Sequence, residues 1–531
     1  MSQAYRSRWR VPVAPRVRRS YAHPSMALDP RTPVLAGVGQ VVMHPEPGIP
    51  VASRPEPVEL MTRALELAAI DCGSGNVGWQ LIAQAKTLRV MNPLGWSYKN
   101  PGLIVAQRLG IEPAELALST TGGNGPQLAV NEMALAIASG SVDVALLVGA
   151  DCIYTRTVAE RDPGRPVLPW TVQPDSTPVP VMFGTDREPV TAVELAHGLD
   201  KPLKVFPIME NALRCAAGED MESHQMKIAQ MWSGFSEIAA TNRYAWSPEV
   251  RSAEEILAVG PANRMTAFPY PKLMVANDRV DQAAALVLCS YGAARSAGVP
   301  AANMVFPIAG ADANDHWYLS HRENLHSSPA IRLAGRTALG LAGRGIDDVS
   351  HVDLYSCFPC AVQIAAAEIG LPIDDPARPL TVTGGLTFAG DPGNNYVTHS
   401  IATMAGRLRG EPGALGLITG LGWYATKHSI GLWSSEPPAG GFRWESPQDQ
   451  VDALPQRAPA TELNIDVTLE SYTVTYSREG APEEGILALL TSDGKRAWGN
   501  VTDHESLESL TAEEGCGRSA RLRSDGMVDL R

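Results

Sequence analysis

Cysteine is scarce in this chain, and its pattern excludes one class of protein. The 531 residues include seven cysteines, an odd number at irregular spacing, whereas small secreted domains held by disulfides carry an even set. We therefore predict reduced thiols and a cytoplasmic location. Long apolar runs are also missing, because none approaches the roughly 18 apolar residues that a membrane helix needs. This predicts a chain without a membrane span.

Positive charge is in deficit over the chain as a whole. There are 44 Lys and Arg residues against 57 Asp and Glu residues, a net charge of −13, and a nucleic-acid-binding protein needs a basic patch that displaces counterions. We therefore exclude a nucleic-acid partner. The first 28 residues differ, with six arginines and no acidic residue before Asp29. They lack the apolar stretch of a signal peptide, so we interpret residues 1–30 as a flexible basic tail.

Short apolar runs alternate with segments of helical period over residues 31–300. Strands are predicted at residues 34–39, 86–91, 115–119 and 142–149, and helices between them at 57–69, 100–109 and 127–138. This order is typical of a mostly parallel sheet with helices on both faces. Pro-rich loops and helices interrupt the pattern at about 160–270, which predicts a loop domain inserted over the sheet.

The same architecture is predicted a second time in residues 301–434. Strands are predicted at residues 304–309, 351–356, 380–382 and 414–419, and helices at 330–342, 360–370 and 395–408. A Pro-rich linker follows at 435–460. Residues 461–531 alternate polar and apolar residues between turns, as in a small all-β, barrel-like (OB-like) domain. The predicted fold class is therefore α/β, with two similar halves and a C-terminal β domain.

Four segments, in order along the chain, resemble signature segments of thiolases. Residues 119–127 (STTGGNGPQ) resemble the segment that carries the nucleophile in the first half of that family. Residues 355–358 (YSCF) are similar to the His-Asp-Cys-Phe box of sterol-carrier-type thiolases. The Gly-Gly and Gly-Asp-Pro segments within 384–392 resemble Gly-Gly and Gly-His-Pro, and residues 420–422 stand where Cys-x-Gly is expected. The resemblance covers roughly residues 34–434. With the extra C-terminal domain, it points to the type 1 thiolase-like proteins.

The resemblance implies a five-layer αβαβα core that binds coenzyme A (CoA) or an acyl-CoA, with no tightly bound cofactor. In thiolases a thiolate at a helix N-terminus carries the acyl group, while a second acid/base group and a histidine move protons. In this sequence the corresponding positions hold Gly122 or its neighbour Thr121, Tyr355, Asp391 and Gly420. The thiolate, the second acid/base group and the histidine of the family are therefore all missing from their expected positions.

Each replacement has two interpretations. Thr120 and Thr121 are either N-caps of the following helix or a threonine acyl carrier. Asp391 is either a general base or an ordinary turn residue. Cys357 is either a relocated nucleophile or a small buried residue. His428 is either a substitute base or half of a surface Lys-His pair on a turn before the last strand.

The candidate site residues follow from these positions. The catalytic candidates are Tyr355, Cys357, Asp391, His428 and Thr121. The candidates for contact with CoA belong to the glycine-rich turns and are Gly122, Gly123, Asn124, Gly125, Gly390, Gly420 and Gly422.

No metal site is predicted. The Cys-x-x-Cys of residues 357–360 has no second cysteine pair, so zinc binding or dithiol chemistry is not favoured. His316, His321 and His326, together with Asp312 and Asp315, resemble a ligand cluster at first. Their spacing of five differs from the i, i+4 pairing of helical zinc sites. We interpret them as solvated loop residues.

The leading hypothesis is a thiolase-like protein that handles an acyl-CoA, an acyltransferase by resemblance, with the family's catalytic cysteines and histidine replaced. One alternative is a non-catalytic protein that binds acyl-CoA or a lipid carrier, with a small acyl-binding protein or a hydratase-like protein as partner. A second alternative is a thioester hydrolase or lyase that uses Asp391, His428 and Tyr355 without a covalent intermediate. Superfamily members are commonly oligomers, but an added C-terminal domain could cover an interface.

Overall fold

The computed structural model describes residues 28–531. The predicted basic tail therefore lies outside the described residues, except for residues 28–30. No helix among the described residues is long and apolar enough to cross a membrane.

The first half begins with the predicted alternation of strands and helices. Its elements are β1 (Pro33–Val42), α1 (Pro57–Asp71), α2 (Val77–Ile82), β2 (Thr87–Met91), α3 (Pro101–Leu109), β3 (Glu115–Ser119), α4 (Gly125–Ser139), β4 (Val144–Cys152) and α5 (Ile153–Arg161). All nine residues of β4 are buried, as expected for a central strand that is covered on both faces. The four predicted strands and three predicted helices of this stretch are confirmed.

A long excursion follows before the chain returns to the first sheet. Its elements are β5 (Val181–Phe183), α6 (Ala192–Ala196), α7 (Pro202–Ala217), α8 (Met221–Thr241), α9 (Ala253–Leu257), β6 (Met265–Ala267) and β7 (Tyr270–Pro271), and the return is made by β8 (Asp281–Ser290) and α10 (Tyr291–Ala297). The strand order in the first sheet is β1-β8-β4-β2-β3-β5. The edge of β3 is therefore covered by β5 of the same chain.

The second half builds a separate sheet. Its elements are β9 (Phe306–Asn314), α11 (Pro329–Ala342), β10 (His351–Asp353), α12 (Pro359–Ile369), α13 (Gly385–Phe388), α14 (Tyr396–Gly410), β11 (Leu415–Gly422), β12 (Lys427–Ser434), β13 (Arg443–Glu445) and α15 (Gln448–Asp452). The strand order is β10-β11-β12-β9-β13. The expectation of a mostly parallel sheet is wrong here, because β11 and β12 pair antiparallel through a turn too short for a crossover.

Two other predictions for this region are also wrong. Residues 380–382 form no strand, because the buried carboxylate of Asp353 accepts hydrogen bonds from the backbone N–H groups of Val382 (2.9 Å) and Thr383 (3.2 Å). The region predicted to be a linker contains β13, which pairs with the edge of β9. A three-residue strand with exposed residues at both ends has no periodicity that a sequence could display.

The two sheets enclose a central layer of helices. Helix α4 contacts β4 and β8 of the first sheet and β11 and β12 of the second, and α14 contacts β8 and β11. Helix α1 covers the outer face of the first sheet, and α11 covers the second. The order of layers is helix, sheet, helix, sheet, helix, as predicted. Helix α4 is accordingly buried around most of its circumference.

The C-terminal residues form a third sheet. Its elements are β14 (Ile465–Tyr476), β15 (Pro482–Leu490), β16 (Arg496–Val501), α16 (His504–Ala512), β17 (Ser519–Leu522) and β18 (Val528–Leu530). The hairpin β6-β7 of the excursion joins this sheet, because Ala267 pairs with Thr475 of β14. The C-terminal domain and the loop excursion therefore share one sheet.

One expectation about cysteine is wrong. Cys215, in α7, and Cys516 form a disulfide, while the other five cysteines are free and buried. The two partners are 301 residues apart, so their spacing in the sequence carries no signal. The fold brings them together because α7 packs on β14. Glu514 lies close enough to complete a group of three metal-ligand types, but the two sulfur atoms are already bonded to each other.

Candidate active site

The turn between β3 and α4 lies at the centre of the molecule. Gly122 adopts a left-handed backbone conformation with φ +154°, which favours glycine, and its N–H donates to Oδ1 of Asn394 at 2.7 Å. The N-cap of α4 is Asn124, and its side chain makes no capping bond. The interpretation of Thr120 and Thr121 as N-caps is therefore wrong, since the helix begins after them.

The turn packs against the end of β11 without an intervening gap. A Cβ atom added to Gly422 would lie 2.5 Å from Oδ1 of Asn124, and one added to Gly420 would lie 2.8 Å from Cα of Asn124. Real Cβ atoms do not approach other heavy atoms this closely. Gly420 and Gly422 thus allow contact between the two halves, at the place where a thiolase would carry a cysteine.

Two other glycines that were predicted to bind CoA are also tightly packed. A Cβ atom added to Gly125 would overlap the Met91 side chain, and one added to Gly390 would overlap Oε1 of Gln282. Gly390 has φ +104°, so its backbone also favours glycine. Both residues let neighbouring chain segments approach closely.

Three of the predicted catalytic residues come together beside this turn. The hydroxyl of Tyr355 lies against Gly123, where an added Cβ would overlap it. Asp391 is half-buried, and its charge, after burial itself, is the next contribution that raises the pKa of both Tyr355 and Cys357. A charge acts on the pKa of another group over several ångströms, so Asp391 lies in the neighbourhood of both groups. Tyr355 and Cys357 therefore both feel the charge of Asp391.

The pKa of the Asp391 carboxyl is strongly raised. Burial raises its pKa to about 8, with smaller contributions from the carboxylates of Asp278 and Asp151. Its Oδ1 is buried and has no hydrogen-bond partner among the described residues. Carboxyl groups with strongly raised pKa values are common at catalytic sites. At neutral pH this carboxyl mostly holds its proton.

Cys357 does not have the properties of an activated nucleophile. It is buried, and burial raises the pKa of its thiol well above the ordinary value. A reactive cysteine needs a lowered pKa, because the thiolate is the nucleophile.

His428 lines a small cavity together with Tyr355 and Gly420. It is buried within β12, and its Nε2 is 3.2 Å from Oδ2 of Asp315 and 3.1 Å from the carbonyl oxygen of Ala425. The interpretation as a surface Lys-His pair is wrong, and so is the interpretation of Asp315 as a solvated residue. Asp315 is buried, which by itself would raise the pKa of its carboxyl, but contact with His428 holds the pKa below its usual range. Asp315 also caps α11 through the backbone N–H of Ala330, so the pair joins β12 to α11.

Lys427 is the site residue that sequence reasoning missed. Its Nζ donates to the carbonyl oxygens of Thr121 (2.6 Å) and Thr185 (3.3 Å), and a Cβ atom on Gly122 would lie 2.8 Å from it. The side chain is only 3% exposed, and burial lowers the pKa of the amine to about 8. The one available signal was a lysine at the start of the apolar run 430–433.

Lys427 faces a cavity of about 170 Å³ between the two halves of the molecule. The turn contributes Thr120 and Asn124, the first sheet contributes Phe183, and the second half contributes Asp312 and Gln448. Tyr355 and Asp391 do not line this cavity. The site therefore has two parts, an acidic corner at Tyr355 and Asp391 and an amine cavity at Lys427, and His428 lines both the Lys427 cavity and the small cavity of Tyr355.

Three comparisons with known proteins bear on these observations. Residues 447–527 match the family model "Thiolase-like protein type 1 additional C-terminal domain". No curated protein sequence matches the chain. Among solved structures, the chain is similar to a monomeric SCP2-thiolase-like protein type 1 (STLP1) from Mycobacterium smegmatis, at 32% identity and TM-score 0.79, over 95% of this chain and 99% of that one.

Two more distant structures share the fold. The Ltp2-ChsH2(DUF35) aldolase has 18% identity and TM-score 0.56, over 77% of this chain and 99% of that one. The Acat5 thiolase from Ascaris suum, in complex with coenzyme A, has 15% identity and TM-score 0.54, over 76% of this chain and 99% of that one. The layered core, the C-terminal sheet and the 32% identity over nearly the whole chain lead to one conclusion. The chain belongs to the SCP2-thiolase-like protein type 1 family.

Proposed function

We propose that the protein binds an acyl-CoA thioester and does not condense two of them. The observation that carries this proposal is the replacement of the nucleophile: the turn before α4 holds Gly122, and Gly420 packs against Asn124 of the same turn. The family's chemistry requires a thiolate to accept the acyl group. In residues 28–531 every free cysteine is buried, and burial raises the pKa of each thiol.

Support for CoA as the ligand comes from the family. The thiolase from Ascaris suum that shares this fold is described in complex with coenzyme A. The acidic corner is the part of the site that could act on a bound thioester. Asp391 holds a proton at neutral pH and lies near the Tyr355 hydroxyl, so both groups could donate hydrogen bonds to a carbonyl oxygen.

The first test combines mass spectrometry with thermal unfolding. After incubation with acetyl-CoA, peptide mapping should find no acyl adduct within residues 118–127, because a threonine hydroxyl is a weak nucleophile unless a base takes its proton, and the Lys427 amine is directed to the Thr121 carbonyl oxygen. Acyl-CoA should bind with a micromolar Kd, about −8 kcal/mol. It should also raise the melting temperature, because ligand at about 100 times Kd adds roughly 2.7 kcal/mol of stability. An acyl-threonine would contradict the absence of a covalent step, and no thermal shift at millimolar ligand would contradict CoA binding.

A second candidate function is favoured by the acidic corner itself. Tyr355 and Asp391 could cleave a carbon–carbon bond in a β-hydroxyacyl thioester. Asp391, when ionised, would take the hydroxyl proton, the bond would break to give a carbonyl compound and a thioester enolate, and the Tyr355 hydroxyl would protonate the enolate carbon. Proton return from Asp391 to Tyr355 closes the cycle. An aldolase shares this fold, which supports a lyase as the second candidate.

Substitutions separate the two candidates. Asp391→Asn and Tyr355→Phe should each reduce any lyase turnover by about 10²-fold or more, the range of lost acid–base catalysis, while acyl-CoA still raises the melting temperature. Asp374→Asn, a change at an exposed carboxyl, serves as the matched control and should alter neither. Turnover that survives in both variants would contradict the lyase candidate.

A further inference from the structure

The cavity beside Lys427 contains a buried carboxyl group as well as a buried amine. In the pairing of β12 with β9, Lys427 stands opposite Asn314, and Ser429 stands opposite Asp312. Positions two residues apart on a strand face the same side of a sheet. The amine of Lys427 and the carboxyl of Asp312 therefore lie on one face, as diagonal neighbours within reach of a small molecule between them.

Lys427 has a bonding capacity that the fold does not fully use. A protonated amine has three donor hydrogens, and two of them are directed to the carbonyl oxygens of Thr121 and Thr185. The third position on the nitrogen carries a hydrogen when the amine is protonated and a lone pair when it is neutral. Since burial lowers the pKa to about 8, the neutral amine is a substantial fraction near neutral pH.

Asp312 has one oxygen fixed and one free. Its Oδ2 accepts from Nδ2 of Asn131 at 3.1 Å and from the indole N–H of Trp444. Its Oδ1 is buried without a hydrogen-bond partner among the described residues. Burial also raises the pKa of this carboxyl, although the neighbouring hydroxyl of Ser429 and the partners Trp444 and Asn131 act in the opposite direction. An unpaired buried oxygen is costly unless it holds a proton or meets a ligand.

We propose that Lys427 captures a small aldehyde or ketone as an imine in this cavity, with Asp312 as the proton donor. The cavity of about 170 Å³ is smaller than the 300–1,000 Å³ typical of sites for drug-sized ligands. The substrate class is therefore a carbonyl compound of a few non-hydrogen atoms. This inference does not depend on acyl-CoA binding.

The bonds and protons of this step balance. The lone pair of neutral Lys427 attacks the carbonyl carbon, the carbonyl π electrons move to oxygen, and one proton passes from nitrogen to that oxygen. The resulting carbinolamine hydroxyl takes a proton from Asp312 and leaves as water, while the nitrogen lone pair forms the C=N bond. The products are a protonated imine on Lys427, one water molecule and the Asp312 carboxylate, which is the counter-ion of the new cation.

A trapping experiment distinguishes an imine-forming Lys427 from a purely structural one, because only the former should be modified faster than an exposed lysine. The full-length protein is incubated at pH 7.5 with acetone and, separately, with pyruvate, in the presence of cyanoborohydride, which reduces an imine to a stable secondary amine. Modified lysines are located by peptide mapping. An ordinary lysine has a pKa near 10.4, so Lys427 has about a hundredfold larger neutral fraction. We expect at least tenfold faster modification of Lys427 than of the exposed Lys201.

Variants test the two roles separately. Asp312→Asn keeps an oxygen that can accept from Asn131 but removes the proton donor, and it should slow trapping at Lys427 at least tenfold. Lys427→Met should remove the adduct, and Lys201→Arg should leave trapping at Lys427 unchanged. Mapping of the wild-type protein still decides the question if Lys427→Met fails to fold. Modification of Lys427 no faster than that of Lys201, or unchanged trapping in a folded Asp312→Asn variant, would overturn the proposal.

Discussion

Asp391 couples the candidate active site to the stability of the fold. Its carboxyl has a pKa of about 8 in the folded protein because it is buried, against about 3.9 in an unfolded chain. The folded state therefore binds more protons than the unfolded state between these two values. Under that condition stability falls as pH rises. The contribution of the neutral carboxyl is fully present below pH 3.9 and is lost as pH rises through 8.

The first prediction is that Asp391→Asn makes the protein more stable at pH 8 and changes little at pH 4.5. The amide keeps the shape of the neutral carboxyl and cannot ionise. The variant therefore does not lose folding stability at this position as pH rises. Urea unfolding of both proteins at the two pH values measures the effect. Asp374→Asn, at an exposed carboxyl, should show no such pH dependence. Equal stability of the Asp391→Asn variant and the wild type at pH 8 would contradict the burial argument.

Individual residues also show how far the sequence could predict the site. The sequence analysis could place Tyr355 and Asp391 in one region, because the order of the family segments fixes which strand ends and turns meet. The environment of His428 could not, since its partner Asp315 is 113 residues away in the chain. For Lys427, the deciding contacts are backbone carbonyls of two loops. Carbonyl groups are present at every residue, so no sequence pattern marks them.

At the scale of elements, the contact between the turn before α4 and strand β11 leaves no room for a side chain at Gly420. The second prediction is that Gly420→Cys, which restores the family's cysteine at this position, destabilises the protein by about 1–3 kcal/mol, the usual cost of overpacking. The reason is that its Cβ would lie 2.8 Å from Cα of Asn124, and backbone at that point cannot move freely. Chemical denaturation measures the change.

The control for this prediction is a glycine with open space around it. No atom lies within 4 Å of a Cβ added to Gly406, an exposed position in α14. Gly406→Ala should raise stability by about 0.5–1 kcal/mol, because alanine favours the helix. A Gly420→Cys variant as stable as the wild type would show that the turn can shift, and the closed contact would then not explain the loss of the cysteine.

The elements themselves differ in how much the sequence reveals. Strand β4 could be predicted because nine consecutive residues are buried and nearly all are apolar. Residues 380–382 look like a strand in the sequence, but the Asp353 carboxylate accepts the backbone hydrogens that a sheet would need. Strand β13 exists only because β9 offers an open edge. Tertiary contacts therefore decide the short elements, while the long ones follow from composition.

At the scale of the whole molecule, Arg496 attaches the C-terminal sheet to the thiolase core. Its side chain is fully buried and forms an ion pair with Glu470 at 2.6 Å. It also donates to the carbonyl oxygens of Leu319 (2.7 Å) and Arg322 (2.5 Å) in the second half. The neighbouring Trp498 donates to Oγ of Ser320 at 2.9 Å. One guanidinium thus satisfies acceptors on both sides of the domain boundary.

The third prediction is that Arg496→Ala destabilises the protein by about 3–5 kcal/mol, since it leaves a carboxylate and two carbonyl groups without their partner in a buried environment. Arg531→Ala is the matched control in the same domain, because Arg531 and its partner Asp466 are both more than half exposed and such pairs contribute less than about 1 kcal/mol. Thermal and urea unfolding measure both variants. Equal losses in the two variants would contradict a special role for Arg496.

The shared sheet has a consequence for the order in which the protein is made. Ala267 of the β6-β7 hairpin pairs with Thr475, a residue that the ribosome adds 208 positions later. At about 5–20 residues per second this interval lasts roughly 10–40 seconds. Throughout that time the hairpin and the face of α7 that packs on β14 have no partner. A nascent chain in this state exposes unpaired strand edges, the kind of surface that chaperones bind. Truncation before residue 465 would leave the hairpin and α7 without the sheet they pack on.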